Sequence, residues 1–134
     1  MLKKLVIIGI CVSILCCLCM QAYTPMFAEY GETTVYLDSA SSNAKIIKAS
    51  EMEFKHNIKG ESCFIDKSVD VDKILNEFNA KVVFIEEIDG TTNYYCYSKQ
   101  IKYKTKIKGE VINLHVSTNG EFTSIGSPII FGSF

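Results

Sequence analysis

The chain has 134 residues, with 14 lysines and no arginine set against 15 acidic residues, a formal net charge of -1, and no tryptophan. Without guanidinium groups there is no bidentate clamp for phosphate, carboxylate or guanine, which argues against sequence-specific nucleic-acid binding. Once a targeting segment is set aside, about a hundred residues remain, enough for one small core and not for two.

The N-terminus reads as an address. Lys3 and Lys4 supply a positive start, Leu5 to Met20 (LVIIGICVSILCCLCM) form an apolar run, and Gln21 and Thr24 restore polarity, which is the pattern of an export signal. The run is shorter than the roughly 20 apolar residues of a spanning helix, which favours a leader that is removed over one kept as an N-terminal membrane anchor. Cleavage is expected after Ala28 or Ala22, although neither site has a small residue at the third position upstream. The expected division is therefore a signal peptide or anchor over residues 1–28 and a single domain over residues 29–134. Cys11, Cys16, Cys17 and Cys19 lie inside the apolar run, where thiols behave as small hydrophobes and not as a metal cluster. No small residue precedes them, which argues against lipid attachment. The remaining Cys63 and Cys96 admit either a disulfide or two separate buried thiols.

Thr33 to Ser39 (TTVYLDS) has strand composition, Ala40 to Asn43 is loop-like, and AKIIKASEMEF fits helix or strand equally. EFKHNI and ESCFID then form two short extended runs around a turn at Lys59–Gly60. Val71, Ile74, Leu75 and Phe78 fall at i, i+3, i+4 and i+7 and predict a helix, with Ser68 or Asp70 at its start, Asp70 and Asp72 at the positive end of its dipole, and Asn79 as its stop. Helix-end electrostatics accounts for those acids better than a calcium loop, since the glycine and final glutamate of such a loop are missing. Beyond the helix, KVVFIEEI returns through Asp89–Gly90 as TTNYYCYS, the lysine-rich run returns through Lys108–Gly109 as EVINLHVST, and that returns through Asn119–Gly120 as EFTSIGSPII. The expected fold is α+β: a curved antiparallel sheet, a meander of about four to six strands, with one packed helix, preceded by the signal segment.

The stretches FNAKVVFIEEIDGTTNYYCYSK, IKGEVINLHVSTNG and IGSPIIFGSF resemble small exported proteins of spore-forming Gram-positive bacteria, of the YwmB-like group. The resemblance covers roughly the last two-thirds of the chain and rests on turn and strand patterns without a catalytic signature. It implies a fold like that of the TATA-box-binding protein, as a shape and not as a DNA-binding activity. It also implies a place in the cell envelope, in sporulation or cell-wall biology.

In KQIKYKTKIKG an extended strand sends Lys102, Lys104, Lys106 and Lys108 to one side and Ile101, Tyr103, Thr105 and Ile107 to the other. The four lysines, with Tyr103, are the candidate contacts for an anionic ligand. The alternative is a solvated strand edge whose lysines deter pairing with other strands. Cys96 and His115 form the best nucleophile–base pair, yet NYYCYS lacks a helix start or a glycine-rich elbow to activate a thiol, so a buried strand cysteine is the simpler account. His56 and His115 lack the spacing and companions of a zinc site. Glu86 and Glu87 point to opposite faces and cannot flank one bond. Tyr94, Tyr95, Tyr97 and Tyr103 divide between core packing and surface, and Ile129, Ile130, Phe131 and Phe134 suggest a docked last strand or a partner contact.

No catalytic residue, metal ligand or cofactor is expected from these patterns. The expected function is that of an exported cell-envelope accessory protein without catalytic activity. Its partner would be an envelope protein or an anionic wall polymer, with no nucleic acid, and it would meet the membrane only through an uncleaved N-terminal segment. The alternative is a binding module for an anionic glycan or lipid head group through Lys102 to Lys108.

Overall fold

The computed structural model describes residues 1–21, 23–39, 44–52 and 57–130. Helix α1 (Leu2–Gln21) holds the apolar run, and its described side chains are exposed. Among the described residues, no helix is long and apolar enough to cross a membrane.

The domain begins before residue 29. Phe27 is completely buried and meets Phe78 edge-on, with ring centroids 5.6 Å apart. The Met26 N–H donates to the Glu61 carboxylate at 2.8 Å, and the Tyr30 hydroxyl donates to Glu77. Tyr23 packs beside Val35, Leu37 and Ala49. Residues assigned above to the leader thus supply part of the core.

Strand β1 (Thr33–Leu37) pairs with β2 (Lys45–Lys48) on one side and β3 (Ile58–Ile65) on the other, both antiparallel. The ambiguous AKIIKASEMEF is resolved as β2 followed by one 3-10 turn at Ala49–Glu51. Residues 53–56, including His56, lie outside the described residues. The turn expected at Lys59–Gly60 is absent: β3 continues through both residues. Gly60 is buried opposite Tyr36, and Lys59 is an extra residue in β3 between the pairs Tyr36–Gly60 and Leu37–Ile58.

Helix α2 (Val71–Glu77) forms as its spacing predicts. The Asp70 side chain caps it by accepting from the Asp72 N–H at 3.0 Å, Ile74 is fully buried, and Val71, Leu75 and Phe78 lean on the same cluster. Asn79 adopts φ 46 and ends it. Strands β4 (Ala80–Ile88) and β5 (Thr91–Ser98) form a hairpin whose turn residues Asp89 and Gly90 have φ 50 and 78. Val83 is an extra residue in β4: Phe84 faces Tyr95 but Val82 faces Cys96.

The lysine-rich run contributes β6 (Thr105–Ile107), which turns at Lys108–Gly109 into β7 (Glu110–Ile112). These two make a separate ribbon. Strand β8 (Leu114–Thr118) returns to the main sheet and pairs with β5, and β9 (Thr123–Ser127) inserts between β8 and β3. The sheet order is β2-β1-β3-β9-β8-β5-β4, seven antiparallel strands. The α+β class is as expected, but the sheet is wider than a meander and its centre is closed by non-consecutive pairs. Strand β9 lies within the expected return EFTSIGSPII and pairs with β8 as expected; what was not expected is that its other side pairs with β3.

One face of the sheet carries Cys63, Cys96, Leu114, Val116 and Ile125, packed under Phe27, Ile74 and Ile101. The other face carries a row that register sets side by side across all seven strands: Lys48, Thr34, Ser62, Gly126, His115, Tyr95 and Phe84. Residues 128–130 fold back over this row. A Cβ on Gly126 would lie 2.6 Å from the Ile129 carbonyl oxygen and the Ile130 nitrogen, so only glycine fits there. Phe131 and Phe134 lie outside the described residues.

Candidate functional site

The nucleophile–base pair does not exist. Cys96 is opposite Leu114 and His115 is opposite Tyr95, and neighbouring strand residues point to opposite faces, so the sheet itself separates thiol from imidazole. Cys96 is fully buried, and burial pushes its thiol up to about 12, away from the thiolate a nucleophile needs. Burial pushes His115 down to about 4, with the nearby Glu86 carboxylate opposing.

His115 has a structural task instead. The Ile130 N–H can only donate, and it points at Nδ1 at 3.2 Å, so Nδ1 must carry the lone pair. The proton then sits on Nε2, which donates to Asn93 Oδ1 at 3.0 Å. The ring also ends an aromatic stack with Tyr95 and Phe84, at centroid distances of 4.5 and 4.4 Å. Neutral His115 thereby fastens the C-terminal segment to the sheet.

The disulfide is also excluded by topology. Cys63 on β3 and Cys96 on β5 are both buried free thiols with β9 and β8 between them. Three interstrand steps amount to about 14 Å, twice the Cα separation a disulfide tolerates. Shared membership of one core cluster does not imply contact.

The lysine run shows the alternation that strand geometry requires: Lys102, Lys104, Lys106 and Lys108 are exposed, Ile101 is buried, and Tyr103, Thr105 and Ile107 are half-buried. Strand β6 pairs with β7 alone among the described residues, so its second side is an edge. The four cations are not equivalent. Lys108 bonds to Glu86 and lies 5.7 Å from the Phe84 ring centroid, and this hydrogen bond is the main reason the Glu86 carboxyl is held below its usual range. Lys104 donates to the Tyr97 hydroxyl at 3.4 Å. Lys102 and Lys106 make no ion pair or hydrogen bond among the described residues. Tyr103 does not join them: it is half-buried on the opposite side, where burial and the Glu61 carboxylate raise its pKa.

Glu86 and Glu87 face opposite sides, opposite Asn93 and Thr92. Among the described residues no group of three or more His, Cys, Asp and Glu side chains converges as a metal set. Two features escaped the sequence: Glu61, a carboxylate only 2% exposed within a strand, and the side-by-side placement of Lys81 and Tyr97. Nothing in ESCFID marks its glutamate as buried, and the Lys81–Tyr97 pair depends on the extra residue at Val83.

The architecture defines an α+β protein built on one broad antiparallel sheet. No protein-family model, curated protein or solved structure matches the chain.

Proposed function

We propose that this chain is a non-enzymatic, exported accessory protein of the cell envelope, of the small YwmB-like kind, and that it works by binding. The observation that supports this best is the separation of Cys96 and His115 by the sheet, which leaves the strongest candidate for covalent chemistry without a base. Export is supported by the basic start and apolar run of α1. Fractionation of cells making the tagged full chain tests the address. Recovery outside the cytoplasm, lost when Leu5–Met20 is interrupted by charged residues, is the expected result, and a cytoplasmic pool unaffected by that change would end the reading. Cys96 should resist alkylation near neutral pH until the protein unfolds, and rapid modification of the native protein would reopen catalysis.

A second reading has its own support. The unengaged Lys102 and Lys106 present charge to solvent, as a module that contacts an anionic glycan or lipid head group would. With Lys108 paired to Glu86 and Lys104 donating only to the neutral Tyr97 hydroxyl, the run offers three of its four charges. Loss of salt-sensitive binding to anionic polymer in Lys102→Glu with Lys106→Glu is the outcome this reading requires.

A further inference from the structure

At the end of the β4–β5 hairpin remote from its turn, a cleft of about 310 Å³ opens between Asn79, Lys81, Tyr97 and Lys99. Lys104, on the chain leading into β6, does not line it but meets its Tyr97 wall, its Nζ donating to the Tyr97 hydroxyl and lying 5.6 Å from the ring centroid. None of the three lysines is in an ion pair, and no carboxylate lines the cleft, among the described residues. Two ammonium groups lining one concavity, with a third against its tyrosine, repel one another, and on a chain of net charge -1 this is not a by-product of a basic composition.

The backbone is shaped to produce this grouping. Counting back from the Asp89–Gly90 turn, regular pairing would set Lys81 opposite Ser98, a buried residue whose hydroxyl donates to the Phe78 carbonyl oxygen. The extra residue at Val83 shifts the register so that Lys81 faces Tyr97 and shares its side of the sheet. The Tyr97 oxygen accepts from Lys104, which leaves its own O–H free to donate into the cleft.

We infer that this cleft binds a phosphate group, held by Lys81 and Lys99, with the Tyr97 hydroxyl as a donor that Lys104 orients. Separate ammonium charges suit a tetrahedral, multiply charged oxyanion, whereas a planar carboxylate is better matched by a guanidinium fork, which this chain lacks. The site deepens the binding reading above and rests on it, naming a concave surface beside the exposed lysine run as the place that holds the phosphate. The source of the phosphate is either a free oxyanion or a lipid head group.

Calorimetric titration of the full chain with inorganic phosphate, and sedimentation with vesicles of about 30 mol% phosphatidylglycerol in phosphatidylcholine, test the two sources. The expected result is saturable, salt-sensitive binding in at least one arm, weakened about tenfold or more by Lys81→Glu with Lys99→Glu. Tyr97→Phe should weaken it less, and the charge-matched control Lys45→Glu with Lys59→Glu, at exposed lysines outside both the cleft and the lysine run, should leave it nearly unchanged. Response to phosphate identifies the free oxyanion; response to vesicles alone identifies the lipid. All four lysines are exposed, so thermal unfolding of each variant should match that of the parent. No binding in either arm, or binding that survives the Lys81 and Lys99 changes, overturns the site. An equal loss in the control pair overturns it too, by showing attraction to net charge. None of these results bears on where the chain is exported, which the fractionation decides.

Discussion

His115 is the residue at which protonation and folding are most directly coupled. An imidazole titrates near 6.5 in an unfolded chain and near 4 in this one, because burial disfavours its charged form. A depressed folded pKa means that the unfolded chain binds more protons between those values. The contribution is therefore complete above pH 6.5, falls as pH drops through the window, and levels off below 4, a change of about 3 kcal/mol. Denaturant unfolding across this range should show the decline, and most of it should vanish in His115→Gln; equal slopes in both proteins would contradict the linkage. Protonation would also put a second donor against the Ile130 N–H, so the C-terminal segment should loosen first. Gly126 lies under that same segment. Gly126→Ala places a methyl group against backbone at 2.6 Å and should cost roughly 1–3 kcal/mol, seen as a lower denaturation midpoint at unchanged slope.

At the scale of elements, the segment from Tyr23 to Tyr30 ties the start of the domain to its core. A chain beginning at Tyr23 keeps Phe27 in the core and the Met26 N–H on Glu61, whereas one beginning at Glu29 loses both. The shorter chain should be less stable by about 3–5 kcal/mol, the range for removing a buried phenylalanine. Thermal unfolding of the two measures the difference, and equal stability would show the segment to be dispensable. The elements that were legible in the sequence are those written in local chemistry: α2 in its apolar spacing and Asp70 cap, and the β4–β5 hairpin in Asp89–Gly90. What stayed hidden depends on partners distant in sequence. Gly60 looks like a turn until Tyr36 is opposite it, β9 reads as the return after Asn119–Gly120 but not as the partner of β3, and Phe27 looks like leader until Phe78 is found against it. The candidate site was half legible: alternation told which way the lysines of the run would point, but not that Glu86 and Tyr97 would engage two of them.

For the molecule as a whole, the sheet ends in two unlike edges. Strand β2 is short and begins and ends in lysine, while β4 has nine residues and exposes Val82, Val83, Ile85 and Ile88. A row of the core-facing side runs Cys63, Ile125, Val116, Tyr94 and out to Ile85, which is 53% exposed. Ile85→Lys should therefore change stability by no more than about 0.5 kcal/mol while improving solubility at high concentration, as sedimentation would report. The extra residue at Val83 has a second role at this edge. A neighbouring strand can zip onto β4 only along an unbroken ladder of N–H and carbonyl groups, and Val83 interrupts that ladder near its middle. Deleting Val83 leaves Lys81 opposite Tyr97 and Val82 opposite Cys96, so the phosphate cleft should survive. The deletion would, however, give β4 an unbroken outer ladder, unpaired among the described residues and carrying exposed Val82, Ile85 and Ile88, and the sheets of separate molecules should then extend one another into fibres from which the one-residue interruption protects the parent chain.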